Sequence, residues 1–187
     1  MSFYFKNFPQ INYSLKKNNN FELLTNISVR YKFTEAVKRN NIIFYEYQIL
    51  DTDRPDIIAT KYYGDARLDW LIMLANNIID PYYDWPLSNV NFNNYMKSLY
   101  GSVSSAKTSI YEYRQILNQQ TVLFDGTIVP KRTIVIDLNT YNSLPASERE
   151  IIYGYDFYEE QNNNKRNIRL ISKDFVSRIL TDIKTIF

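Results

Sequence analysis

The spacing of apolar positions along the chain changes several times, and each change outlines an element. Residues 1–20 alternate apolar and polar (Phe3, Phe5, Phe8, Ile11, Tyr13), break at Phe8-Pro9, and end in Lys16-Lys17-Asn18-Asn19-Asn20. This predicts an extended arm or edge strand with a polar turn behind it. So short an arm cannot bury both of its faces itself, so it lies on the rest of the fold or on another molecule. Residues 21–27 fit either helix or strand. Val29-Arg30-Tyr31-Lys32-Phe33 alternates like a strand, Thr34 offers an N-cap for a short helix through Arg39, and 42–50 is a dense β-prone run.

Two consecutive helices are predicted next. Thr52 or Asp53 caps the first, Pro55 stands in its first turn, where a missing N–H costs nothing, and Asp56 sits at the positive end of the helix dipole. Ile57, Ile58, Ala59, Tyr62 and Tyr63 give its apolar face, and Gly64 suits the left-handed stop. Asp65 caps a second helix carrying Leu68, Leu71, Ile72 and Ala75 on one side. Asn76-Asn77, Asp80-Pro81 and Trp85-Pro86 bring it to an end. Beyond Ser88, residues 91–100 read as a helix closed by Gly101. Residues 109–117, 121–124 and 133–138 read as strands, with Asp125-Gly126 as a hairpin turn. A turn-rich stretch with one helical turn covers 139–150. Residues 151–159 and 168–171 read as a second hairpin across a polar turn at 161–165. A final amphipathic helix, capped by Ser172 or Asp174, aligns Val176, Ile179, Leu180, Ile183 and Phe187.

Composition narrows what such a chain does. Its 187 residues, 45% hydrophobic and 22% charged, match ordinary soluble chains, so a core is available without disulfide staples. The surplus of 17 Tyr and 11 Phe over 4 Gly suits interfaces, although AT-rich codon usage produces the same bias. A net charge of +2, with positive residues only in short pairs, argues against nucleic acid as a partner. The chain holds no Cys and no His, which removes thiolate chemistry, the commonest general base and the commonest metal ligand together. Asp51, Asp53 and Asp56 start like a calcium loop, but Asp56 stands where the loop needs Gly and Tyr62 where it needs a bidentate Glu. No Gly-rich phosphate loop occurs. The expectation is therefore no catalytic residues, no metal and no cofactor. No apolar run is long enough to span a membrane, and residues 1–6 do not open a signal peptide, so the product is expected to be soluble and made in a cytoplasm.

Two resemblances sharpen this. Tyr47-Gln-Ile-Leu-Asp51-Thr-Asp-Arg-Pro55-Asp-Ile-Ile-Ala59-Thr-Lys-Tyr-Tyr63-Gly-Asp65, followed by Leu68-Asp-Trp70 and Leu74-Ala-Asn76, resembles a LysM module. That resemblance implies a core of Tyr47, Ile49, Ile58, Ala59, Tyr62, Leu68, Trp70, Leu71, Ile72 and Asn76. The strand that a LysM module returns after its second helix has no counterpart in Asp80-Pro-Tyr-Tyr-Asp-Trp-Pro86. A wider match joins Phe8-Pro9-x-Ile11-x-Tyr13, Tyr62-Tyr-Gly-Asp65, Trp70, Asn76, Ile79-Asp-Pro81, Asp84-Trp-Pro-Leu87 and Tyr100-Gly101. This ordered set resembles the small baseplate wedge subunit (protein 53 family) of T-even-type contractile-tailed phages. The family implies a structural virion protein of the tail baseplate, assembled in the host cytoplasm, that joins wedge subunits and promotes closure of six wedges around the hub. Its implied partners are other wedge subunits and tail hub or tube-initiator proteins in a six-fold hetero-oligomer. The alternative is a LysM-type module that holds peptidoglycan at the host cell wall.

The expected fold class is α+β: a LysM-like strand-helix-helix core, an N-terminal extended arm, and a C-terminal β-hairpin-rich lobe closed by an amphipathic helix. The expected divisions are 1–44, 45–90 and 91–187. The partner-interface candidates are Phe3, Phe5, Phe8, Tyr82, Tyr83 and Trp85.

Overall fold

A computed structural model of the chain describes residues 4–5, 8–14 and 21–185; Phe3, Lys16, Lys17 and Phe187 lie outside them. The chain forms two units, Met1–Pro86 with Lys165–Phe187, and Leu87–Asn164 between them in sequence.

In the first unit, β1 (Gln10–Tyr13) and β2 (Glu22–Thr25) form a two-stranded antiparallel ribbon. The expected strand over 29–33 does not form. Those residues join no ladder; instead Tyr31 is buried, with Val29 and Phe33 packed on the same core. A single helical turn, α1 (Glu35–Lys38), follows Thr34, and the β-prone run becomes β3 (Phe44–Gln48).

The helix pair forms as the sequence predicts. Pro55 opens α2 (Pro55–Tyr63), and Gly64 at φ 81° ends it by donating its N–H to the Thr60 carbonyl. The Asp65 side chain accepts from the Arg67 N–H in a 3-10 turn that leads into α3 (Asp69–Ala75). Trp70, Leu71, Ile72, Leu74 and Ala75 are all buried, so nearly the whole of α3 faces inward. One more turn, α4 (Pro81–Asp84), completes this part.

The second unit opens with α5 (Asn89–Tyr100), capped by Ser88 and stopped by Gly101, and then α6 (Val103–Thr108). A three-stranded sheet has the order β7-β4-β8, built from β4 (Ile110–Asn118), β7 (Arg132–Ile136) and β8 (Arg149–Tyr153). Between β4 and β7 the short strands β5 (Thr121–Val122) and β6 (Ile128–Val129) pair with each other, and α7 (Leu138–Ser143) follows β7. Residues 154–164, expected as strand and turn, are instead α8 (Gly154–Asn164). Tyr155 and Tyr158, three apart, pack from one side of α8 onto the buried cluster of Phe92, Met96 and Ala106.

The chain then returns to the first unit as β9 (Asn167–Ile171) and α9 (Lys173–Thr185). β9 does not form the expected hairpin with the strand at 149–153. It pairs antiparallel with β3, Tyr45 opposite Leu170 and Tyr47 opposite Ile168. The expected 91–187 lobe is therefore divided, its last strand and helix belonging with the N-terminal part. Strand, two helices and an antiparallel returning strand make one layer pair, with Leu87–Asn164 inserted before the return. Its core holds Ile49, Ile58, Ala59, Ile72, Ile168 and Leu170, beside a second cluster built on Tyr31, Trp70, Leu71 and Ile171. Truncating a buried Trp such as Trp70 costs about 3–5 kcal/mol.

Candidate docking surfaces

The turn from β3 into α2 is organised by Asp53. Its side chain is fully buried and accepts from the Tyr47 hydroxyl (2.7 Å), the Leu50 N–H (3.0 Å) and Lys61 Nζ (2.8 Å). Burial alone would raise its pKa, but the bonds from Lys61, Tyr47 and Leu50 prevail and hold the carboxyl below its usual range. The same burial, with the bond to Asp53, pushes the Tyr47 phenol up to about 12. Asp53 therefore does not cap α2 as the sequence suggests. The N-cap is Arg54, whose side chain makes no capping bond and pairs with Asp56 at 2.6 Å.

This turn anchors the aromatic loop that follows α3. Trp85 Nε1 donates to the Asp53 carbonyl (3.2 Å), and the ring packs on the Ile49 and Ile58 cluster. Asp84 Oδ2 accepts from the Ile79 and Asp80 N–H groups (3.0 and 3.1 Å), which hold its carboxyl low. The Asp80 side chain accepts from the Tyr82 N–H, and Lys165 Nζ donates to the Tyr83 carbonyl at 2.6 Å. With its backbone fixed by these bonds, the loop directs its apolar side chains outward. Ile79, Tyr82 and Tyr83 are 71%, 81% and 70% exposed, and the two Tyr rings meet edge to face with centroids 5.1 Å apart. Preorganised, exposed Tyr side chains of this kind are typical anchors of protein interfaces, because little conformational freedom remains to be lost on binding.

Two further surfaces have the same character. In the β1–β2 ribbon, every residue is exposed, including Ile11, Tyr13, Leu23 and Leu24. A lone two-stranded ribbon is marginal in water unless something covers one face. In the second unit, the hairpin beyond β4 exposes Val122, Leu123, Phe124 and Ile128 together.

The sequence candidates fall into three groups. Tyr82 and Tyr83 stand free, and Phe5 is 44% exposed while its ring touches Tyr4 and Phe8. Phe8 and Trp85 are corrected: Phe8 is 6% exposed against Tyr31, and Trp85 is spent on its own core and on the Asp53 carbonyl. Phe3 lies outside the described residues. Of the core candidates, Ile49, Ile58, Ala59, Trp70, Leu71 and Ile72 are buried, and Tyr47, Tyr62 and Leu68 pack against them half-buried. Asn76 joins α3 to β9, donating to the Ile72 and Arg169 carbonyls and accepting from the Arg169 N–H. The sequence reading missed Ile79 and Phe124. Each adjoins a turn dipeptide, Asp80-Pro81 or Asp125-Gly126, and an apolar residue so placed has no strand or helix face to turn inward.

Among the described residues no cluster of acidic side chains could hold a metal ion, and no helix is long and apolar enough to cross a membrane. A family model described as "Base plate wedge protein 53" matches residues 3–125. The baseplate wedge protein gp53 of Enterobacteria phage T4 is 25% identical over 150 residues, covering 73% of this chain and 70% of that relative.

Proposed function

We propose, from the premise that this chain belongs to the base plate wedge protein 53 family, that it works by being gripped between neighbouring wedge subunits. It is a structural component of the baseplate wedge and assembles with other baseplate proteins. In this reading its surfaces act rather than any reactive group: it joins wedge subunits made in the host cytoplasm and promotes closure of six wedges around the hub and tube initiator. The observation that carries the proposal is the rigid loop holding Ile79, Tyr82 and Tyr83 out to solvent. Apolar side chains fixed in that way are uncovered in the free chain and gain from burial on a partner.

Little favours the sugar-binding alternative. At the β3–α2 turn, the Ile49 and Asp53 carbonyls already accept from Arg166 and Trp85 of the same chain.

The test is capture of the wedge subunits of the same phage by purified chain. The double substitution Tyr82→Ala, Tyr83→Ala should leave the melting temperature within about 2 °C, since exposed positions seldom move stability by more than ~0.5 kcal/mol. It should weaken capture about thirtyfold or more, as loss of a hot spot of ~2 kcal/mol would. Unchanged capture would contradict the proposal, and retention on cell-wall sacculi would favour the sugar module instead.

A further inference from the structure

The long hairpin of the second unit ends in an aromatic knob. Its ladder runs from Tyr113 opposite Ile136 to Asn118 opposite Arg132. Asn118 Nδ2 then donates to the Pro130 carbonyl (2.9 Å), and pairing resumes at Thr121–Val129 and Val122–Ile128. At the tip, the Leu123 N–H donates to the Thr127 carbonyl, the Gly126 N–H donates to the Leu123 carbonyl, and Asp125 Oδ1 accepts from the Thr127 N–H. Gly126, at φ 84°, supplies the left-handed residue this turn demands. Phe124 at the apex is fully exposed, with Leu123 beside it half exposed. Beyond the three-stranded sheet, the arm from Asn118 to Phe124 projects on the order of 20 Å at ~3.3 Å per residue.

The first unit carries a hollow of opposite form. Phe33, Val37, Ile43, Leu74, Phe175 and Ile179 line a groove of about 460 Å³ between the α1 segment and α9. Among the described residues that line it, Lys32 and Arg178 stand against a single acid, Asp182, so this lining is net positive. The knob is apolar and carries the carboxylate of Asp125, which its Thr127 bonds hold ionised to low pH.

We propose that Phe124 of one copy seats in the groove of a second copy, with Asp125 against Arg178 and Lys32. A knob on one unit and a hollow on the other, joined between two copies, make a head-to-tail contact, the kind that links successive subunits around a ring. This inference rests on the wedge reading, since it is the baseplate that sets copies of the chain side by side.

The chain holds no cysteine, so Phe124→Cys and Ile179→Cys together report on this contact alone. Purified tails carrying the double variant, oxidised and run without reductant, should give a ladder of dimers and higher rungs, whereas each single variant should give monomer only. Adding Asp125→Arg should reduce the ladder at least fivefold, and Arg178→Asp should restore it. Particles that contain the double variant but give only monomer, including an internally linked one, overturn the inference and leave the wedge reading standing. Dimers from Phe124→Cys alone overturn it too, because knob would then meet knob. A double variant that stays out of the tails is tested as purified chain at high concentration, where absence of a ladder again overturns the inference. Wild-type chain missing from the tails would sink the wedge reading itself.

Discussion

At Asp53, a buried carboxylate faces a Lys61 that is 57% exposed, so solvent screens the ion pair and the three hydrogen bonds matter more. Asp53→Ala would leave the Tyr47 hydroxyl and the Leu50 N–H without their acceptor, at a cost of about 1–3 kcal/mol. Urea denaturation at neutral pH should show that loss as a lower midpoint. The pair also sets a pH window. The Asp53 pKa is depressed in the fold, so its contribution is present above the ordinary value of 3.8 and is lost as pH falls through the folded value. Tyr47 is raised, so its contribution is present below the ordinary 10.0 and is lost as pH rises towards about 12. Wild type should therefore show acid and alkaline losses that Asp53→Ala blunts. Two residue roles were misread in the sequence for related reasons. The position of Asp53 before Pro55 suggests a cap, and nothing local reveals that Tyr47 and Lys61 converge on it. The alternation around Phe8 marks an apolar arm, yet periodicity cannot say whether the cover comes from Tyr31 of the same chain or from a partner.

Among the elements, α2 and α3 were legible because every local signal agreed: Pro55 at the start, Gly64 at the stop, the Asp65 cap and a consistent apolar face. The helix α8 was not, because Tyr153, Tyr155 and Phe157 alternate like a strand while the packing that decides the matter comes from Phe92 and Tyr100 far upstream. The strand character of β9 is plain in its sequence but its partner is not, since β3 lies more than a hundred residues away and leaves no trace in local pattern. The start of α8 is also tightly packed. Gly154 is buried, and a methyl group at its position would overlap the Tyr100 ring. Gly154→Ala should destabilise the chain by about 1–3 kcal/mol through overpacking, measured as a lower thermal midpoint. Adding Tyr100→Ala should relieve that clash, so a double variant no less stable than Tyr100→Ala alone would be expected.

For the whole molecule, the consequence of the β3–β9 pairing is that the first unit is closed by the last part of the chain. The inserted unit begins and ends at one place. The Leu87 N–H donates to Asn162 Oδ1 (2.7 Å), and Asn162 Nδ2 donates back to the Leu87 carbonyl (3.0 Å). Replacing residues 88–163 with a short Gly-Ser linker should therefore leave a first unit that melts cooperatively with its helices intact; a molten or aggregated product would mean the units are not separable. The most direct measurement of the account is hydroxyl-radical footprinting of the free chain and of assembled baseplates, read by mass spectrometry at single tyrosines. Tyr82 and Tyr83 should be strongly labelled in the free chain and protected severalfold in the baseplate, with buried Trp70 low in both. Equal labelling of Tyr82 and Tyr83 in the two states would contradict it.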